Sequence, residues 1–174
     1  FFLVNHPLDC PICDQAGECR LQEYAVEHGT GTSRFVETKV TMNKAVDIGP
    51  HVLLDQERCI KCSRCIRFCR EVSKTDELAF FRRGEKTMIG IYPGRSLDNP
   101  YSGNVVDVCP VGALTLKEFR FETRVWFLRN VASVCVACSR GCNVLVGVGQ
   151  QQVTMTTAGQ IDDRRRFDPA RAGI

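Results

Sequence analysis

Eleven cysteines in 174 residues constrain this chain more than any other feature. They come in tight groups: Cys10, Cys13 and Cys19; Cys59, Cys62, Cys65 and Cys69; a lone Cys109; and Cys135, Cys138 and Cys142. Small modules rich in cysteine are stapled by disulfides or by metal, because their apolar cores are too small to hold them alone. The odd count, the lack of a signal peptide and the repeated C-x-x-C spacing argue for metal. Neighbours two residues apart suit one centre better than separate bridges.

Charge and hydropathy narrow the options further. Net charge is +3, with 23 basic and 20 acidic residues well mixed along the chain. A nucleic-acid partner calls for a concentrated basic face, so none is expected. Arg164 to Arg166 read as a solvated tail. No apolar run approaches the roughly 20 residues of a membrane span, so no direct membrane insertion is expected. The chain opens inside the apolar run FFLV and ends in RAGI, and reads as a fragment of a longer protein.

The fold expected is α+β in three blocks. Residues 1–49 form a small helical domain around His6 and three cysteines, with a helix over 15–28. Its face carries Leu21, Tyr24, Ala25 and His28 at i, i+3, i+4 and i+7, and Gly29 closes it. Residues 29–49 read as an extended connection. Residues 50–118 read as a strand–helix–strand unit used twice: strands at 51–55, 78–82 and 87–92, helices at 63–74 and 101–108, and a closing strand in CPVGALTL. Residues 119–174 hold a strand at 124–128, then the third cysteine group, then a hairpin turning near 149–151.

The cysteine spacing carries the chemistry. A cubane cluster needs one ligand on each of four irons. Cys59, Cys62, Cys65 and Cys69 follow the C-x2-C-x2-C-x3-C spacing of bacterial ferredoxins. In two-cluster ferredoxins the fourth cysteine of each run serves the other cluster. Placing Cys109 as the fourth member of a second run puts its first three positions at Asn99, Ser102 and Val105. That run has lost three ligands, so its cluster should be absent. Cys59, Cys62, Cys65 and Cys109 then hold one cubane, and Cys69 is left as a small buried hydrophobe. His6, Cys10, Cys13 and Cys19 can close around another cubane, or around zinc bound by three thiolates and one imidazole. A neutral imidazole in place of a thiolate makes a cluster less negative, which favours its reduced form. Cys135, Cys138 and Cys142 offer three corners of a third cubane with no fourth cysteine after them. No dinucleotide fingerprint or P-loop is present.

At HPLDCPICDQAGECRLQEY, ERCIKCSRCIRFCREV, GNVVDVCPVGALT and FRFETRVWFLR the chain resembles the large iron–sulfur subunit of bacterial respiratory complex I, the NADH:quinone oxidoreductase. The resemblance implies a [4Fe–4S] cluster on His6, Cys10, Cys13 and Cys19 and a second on Cys59, Cys62, Cys65 and Cys109. It also implies a ferredoxin-like second domain, and a third block that starts a molybdopterin-oxidoreductase-type iron–sulfur domain. Cys135, Cys138 and Cys142 match an extra cluster found in some members. The family's fourth ligand for that cluster falls at Asp162 here, which leaves a complete third cluster open. The family's leading [2Fe–2S] domain has no counterpart in this chain.

The function implied is electron transfer from an NADH-oxidising flavin subunit toward quinone. Other peripheral-arm subunits would be partners, on the cytoplasmic side of the bacterial inner membrane. Iron-only hydrogenases, NAD-reducing hydrogenases and NAD-linked formate dehydrogenases share the opening His–Cys motif. They usually keep both ferredoxin runs, so the substitutions at Asn99, Ser102 and Val105 favour complex I. A zinc-stapled structural module is the alternative from a different class. No Cys–His pair with a third orienting group suggests a catalytic nucleophile.

Overall fold

The computed structural model describes residues 2–136, 139–149 and 153–154. They fall into two compact units, Phe1–Phe121 and Glu122–Ile174. Among the described residues no helix is long and apolar enough to cross a membrane.

The first unit is built around two interlocked strand–helix–strand halves. One half is β2 (Val52–Leu54), α2 (Arg64–Glu71) and β3 (Leu78–Phe81); the other is β4 (Met88–Ile91), α3 (Ser102–Asp107) and β5 (Leu114–Leu116). Each antiparallel pairing takes one strand from each half: β2 with β5, setting Leu54 opposite Leu114, and β3 with β4, setting Leu78 opposite Ile91. Neither half can bury its apolar side chains alone, so the halves stabilise each other. Val52, Leu54, Leu78, Leu97, Val105 and Val111 are almost wholly buried at their junction. A short strand, β1 (Val46–Asp47), pairs with the far side of β2. It lies in the stretch expected to be an extended connection, where its polar neighbours hide it. Backbone pairing at a sheet edge needs no apolar pattern.

Two helices are shorter than their patterns predict. The first, α1, runs only over Arg20–His28. Ahead of it, Cys13 to Glu18 winds through i→i+3 turns, with Ala16 N–H bonded to Cys13 O at 3.0 Å and Glu18 N–H to Gln15 O at 3.1 Å. Gly17, at φ 85°, breaks the helical path. Leu21 and Ala25 are half-buried, while Tyr24 and His28 stay exposed and stack on each other at 6.1 Å. Gly29 does close the helix, but not by a left-handed turn: its φ is −80°. Glycine fits there because a Cβ would collide with Ala25 O. The helix α2 stops at Glu71, where the Ser73 hydroxyl takes up Cys69 O at 3.0 Å and Lys74 turns left-handed.

The second unit corrects one strand. Residues 124–128 do not form it; Val125–Phe127 is a 3₁₀ turn, closed by Phe127 N–H to Arg124 O at 3.0 Å and Leu128 N–H to Val125 O at 3.1 Å. These local bonds use backbone groups that a ladder would need. The strand β6 follows at Arg129–Val134 and pairs along its whole length with β7 (Asn143–Val148). The expected hairpin is present as β7 paired with β8 (Val153–Thr154). Its turn, at 150–152, lies outside the described residues.

Candidate iron–sulfur centres

The loop before α2 is wound to turn cysteines inward. Asp55 Oδ1 accepts the N–H groups of Glu57 at 3.0 Å and Arg58 at 3.3 Å, which bends the chain just ahead of Cys59. Lys61 and Ser63 then adopt left-handed conformations, at φ 57° and 62°. Each costs a non-glycine residue about 1–2 kcal/mol, and strain of this kind concentrates at functional sites. Lys61 N–H donates to Cys59 Sγ at 3.4 Å. The first turn of α2 then buries Cys65. From far downstream, α3 delivers Cys109, whose thiol donates to Val111 O at 2.9 Å.

These four thiols lie within one another's fields. Cys59 feels Cys109 and Cys62, and Cys65 feels Cys109, Cys59 and Cys62. Burial pushes Cys59 up to about 11 and Cys65 to about 12, and raises Cys109 as well. Cys59, Cys65 and Cys109 therefore keep their protons at neutral pH when free, and a metal must displace them on binding.

Cys69 stands apart. It sits one turn beyond Cys65 on α2 and is 0% exposed, but the charges near it are those of Glu77 and Asp76. Where a second ferredoxin run would place ligands, a polar network stands instead. Glu77 Oε2 accepts Asn99 Nδ2 at 2.7 Å and the Thr75 hydroxyl at 2.9 Å. Ser102 and Val105 are buried beside α3's core face.

The opening group gathers around the start of α1. Cys10 heads a 3₁₀ turn, Cys13 N–H bonds back to Cys10 O at 3.1 Å, and Cys19 caps α1. The Cys13 thiol feels Cys19, Arg58 and Asp9. The Cys19 thiol points at Pro110 O, 3.8 Å away. A Cβ on Gly112 would overlap Cys13 Sγ, so only glycine lets this turn approach. His6 is anchored through its backbone oxygen, which accepts a bond from the Lys39 ammonium; the same ammonium bonds Leu3 O at 3.2 Å. His6 Nδ1 is buried with no hydrogen-bond partner. Burial lowers the pKa of the ring below its ordinary 6.5, with Asp9 acting in the opposite sense. A neutral imidazole with an unmet buried nitrogen is the form that binds metal.

Beneath both groups lies an ion cluster that the cysteine pattern did not reveal. Arg58 holds Asp9 with two bonds, Nη2 to Oδ2 at 2.7 Å and Nε to Oδ1 at 3.3 Å. Burial works to raise the Asp9 carboxyl, but the Arg58 bond and charge outweigh it and hold the group below its ordinary 3.8. Lys44 reaches Glu57 at 2.8 Å and Asp9 at 3.5 Å. Arg58, Lys39 and Gly112 went unread in the sequence. A charge beside a cysteine run was the only signal for Arg58, and it named no partner.

In the second unit, Cys135 N–H bonds Cys142 O at 2.8 Å across the neck of β6 and β7. Cys138 and Asp162 lie outside the described residues. Among the described residues, no three His, Cys, Asp or Glu side chains converge closely enough to hold a single ion.

Two family models match this arrangement. Residues 49–115 match the NADH-quinone oxidoreductase subunit 3 ferredoxin-like domain, and residues 1–34 match the NADH-ubiquinone oxidoreductase-G iron–sulfur binding region. The chain belongs to the NADH-quinone oxidoreductase-G family. It is 46% identical to the family's protein from Rickettsia bellii over 146 residues, 84% of this chain and 21% of that protein. It is 46% identical to the one from Streptomyces coelicolor over 140 residues, 80% of this chain and 17% of that protein. The chain thus spans about a fifth of the curated relatives it matches. Among solved structures, a crystal structure of NAD+-reducing [NiFe]-hydrogenase in the H2-reduced state matches with TM-score 0.58 and 29% identity. That match covers 71% of this chain and 54% of the hydrogenase chain. The ferredoxin-like fold of the second block and [4Fe–4S] clusters as the cofactor of this segment follow from the family.

Proposed function

We propose that this segment carries electrons inside an NADH-quinone oxidoreductase, from a flavin subunit that oxidises NADH toward quinone. The observation that supports it most directly is the meeting of Cys59, Cys62, Cys65 and Cys109 from a loop, a helix and a distant turn. These four would hold one [4Fe–4S] cluster. His6, Cys10, Cys13 and Cys19 would hold a second, in a small His–Cys domain of their own. A bound cubane supplies one-electron transfer. Around it, Lys39 anchors the His6 segment, the Lys61 N–H is directed at the Cys59 sulfur, and the Pro110–Gly112 turn closes over Cys13 and Cys19. Hydrogen bonds to sulfur and exclusion of water are what the protein contributes to such a centre.

Cys135, Cys138 and Cys142 would take part in a third cluster, with Asp162 or another group as fourth ligand, at the start of a molybdopterin-oxidoreductase-type domain. Other peripheral-arm subunits would cover the chain, on the cytoplasmic face of the bacterial inner membrane. The hydrogenase likeness supports a second reading, an electron-entry domain of an NAD-linked hydrogenase. The polar network at Glu77, Thr75 and Asn99 speaks for the first, because it stands where those enzymes usually hold a further cluster.

Anaerobic purification with iron and sulfide counting, followed by EPR of the reduced protein, tests the proposal. About eight irons with matching sulfide are expected, four per cubane, and about eleven or twelve if the third site fills. Zinc without sulfide overturns it.

A further inference from the structure

We infer that Arg58 sets the reduction potential of the centre held by His6, Cys10, Cys13 and Cys19, by placing a permanent buried positive charge beside it, and that Asp9 tempers that charge. The inference rests on the cubane reading given under the proposed function.

Arg58 immediately precedes Cys59, yet its side chain turns away toward the other group. It is 2% exposed. Its planar fork grips both oxygens of Asp9, at 2.7 and 3.3 Å, and Asp9 immediately precedes Cys10. The same Nε also stands 3.6 Å from Asp55 Oδ2, and the Asp55 backbone N–H is itself bonded to Ala113 O at 2.7 Å. The guanidinium is thus locked between the two cysteine loops and the turn that follows Cys109. Both the His6 ring and the Cys13 thiol lie within its field. For Cys13, Arg58 is the strongest of the neighbouring charges.

The physical consequence follows from charge alone. Reduction adds one negative charge to an iron–sulfur centre. A nearby fixed cation stabilises the reduced form, and a nearby carboxylate destabilises it. Arginine suits the task because it does not lose its proton in proteins and holds a carboxylate bidentately. Burial keeps the charge from being screened by salt. Two other cations stand nearby. Lys39, whose ammonium bonds His6 O, acts on the His6 ring more strongly than Arg58 does. Lys44 is about half exposed and paired with Glu57, so Arg58 is the leading cation at the Cys13 side of the centre.

The test uses the intact oxidoreductase carrying the full-length chain, titrated potentiometrically and read by EPR. Arg58→Met removes the cation and is expected to lower the potential of the centre on His6, Cys10, Cys13 and Cys19. The ratio of reduced to oxidised centre at a fixed potential should fall about tenfold, which is about 59 mV for a one-electron couple. Asp9→Asn removes the anion and is expected to raise the potential. Arg58→Lys keeps the charge and should leave the potential near that of the parent.

Loosened structure does not produce shifts of opposite sign, so the pair separates an electrostatic role from a purely structural one. Unchanged potentials in both Arg58→Met and Asp9→Asn, or shifts of the same sign, overturn the inference. If Arg58→Met fails to assemble, Arg58→Gln, which keeps a hydrogen-bond donor for Asp9 without the charge, takes its place: a lowered potential supports the inference and an unchanged one overturns it. A parent protein without cubane iron, sulfide or EPR signal overturns the proposed function instead.

Discussion

Cys65 and Cys69 lie one helical turn apart on the same face of α2, but only Cys65 has other thiols for neighbours. The difference is set by what each meets across the core: Cys109 in one case, the Glu77 carboxylate in the other. Cys65→Ser is therefore expected to cost about four irons per chain. Cys69→Ala should keep the full iron count and lose about 1–2 kcal/mol of stability, the cost of emptying a small buried volume. Iron and sulfide counting, together with denaturant unfolding, check the pair. Equal iron loss in both would mean that Cys69 is a ligand. In the sequence, what sets Cys69 apart is the register that makes Cys109 the fourth member of a second run and puts Asn99, Ser102 and Val105 at its lost positions. It did not show what occupies the space, because a buried Glu–Asn–Thr network has no sequence period.

The turn from Cys109 to Gly112 joins two groups that the sequence separates. Its first residue faces Cys59 and Cys65, its second accepts from the Cys19 thiol, and its last lies against Cys13. One methyl group at the last position would overlap Cys13 Sγ, well inside van der Waals contact. Gly112→Ala is expected to displace the Cys13 loop and cost about four of about eight irons, while the centre on Cys59, Cys62, Cys65 and Cys109 survives. Iron counting and the EPR spectrum of the remaining centre report this. Elements with strong periodicity were legible beforehand: α2, α3 and the strands β2 to β5 fall where the pattern put them, to within a few residues. Others were not, among them β1, the run at 124–128 and the start of the first helix. The run at 124–128 is rich in apolar and aromatic residues, but local i→i+3 bonds turn it into a 3₁₀ turn, and the strand begins after it. The first helix starts late because Gly17 and the cysteine turns hold the backbone away from helical geometry.

At the scale of the molecule, the His6–Cys19 group and the Cys59–Cys109 group belong to one compact unit, and the Cys135–Cys142 group belongs to another. The two groups of the first unit share its ion cluster and its Pro110–Gly112 turn. A chain ended after Phe121 is therefore expected to retain about eight irons and the EPR signals of both centres. Loss of either centre on this truncation would show that the second unit completes a site in the first.

Ligand identity and ligand spacing are local properties, and local properties are written along the chain. The cysteine groups, the opening histidine, the missing second run and the repeated strand–helix–strand plan could all be read there. Which charges stand beside which thiols is a matter of folding. Arg58 meeting Asp9, Gly112 meeting Cys13 and Glu77 meeting Asn99 join residues far apart in the chain, and no local propensity encodes such pairs. Those encounters depend on how the opening segment and the two halves close over one another. They determine the burial and the fields around each site, on which reduction potential depends.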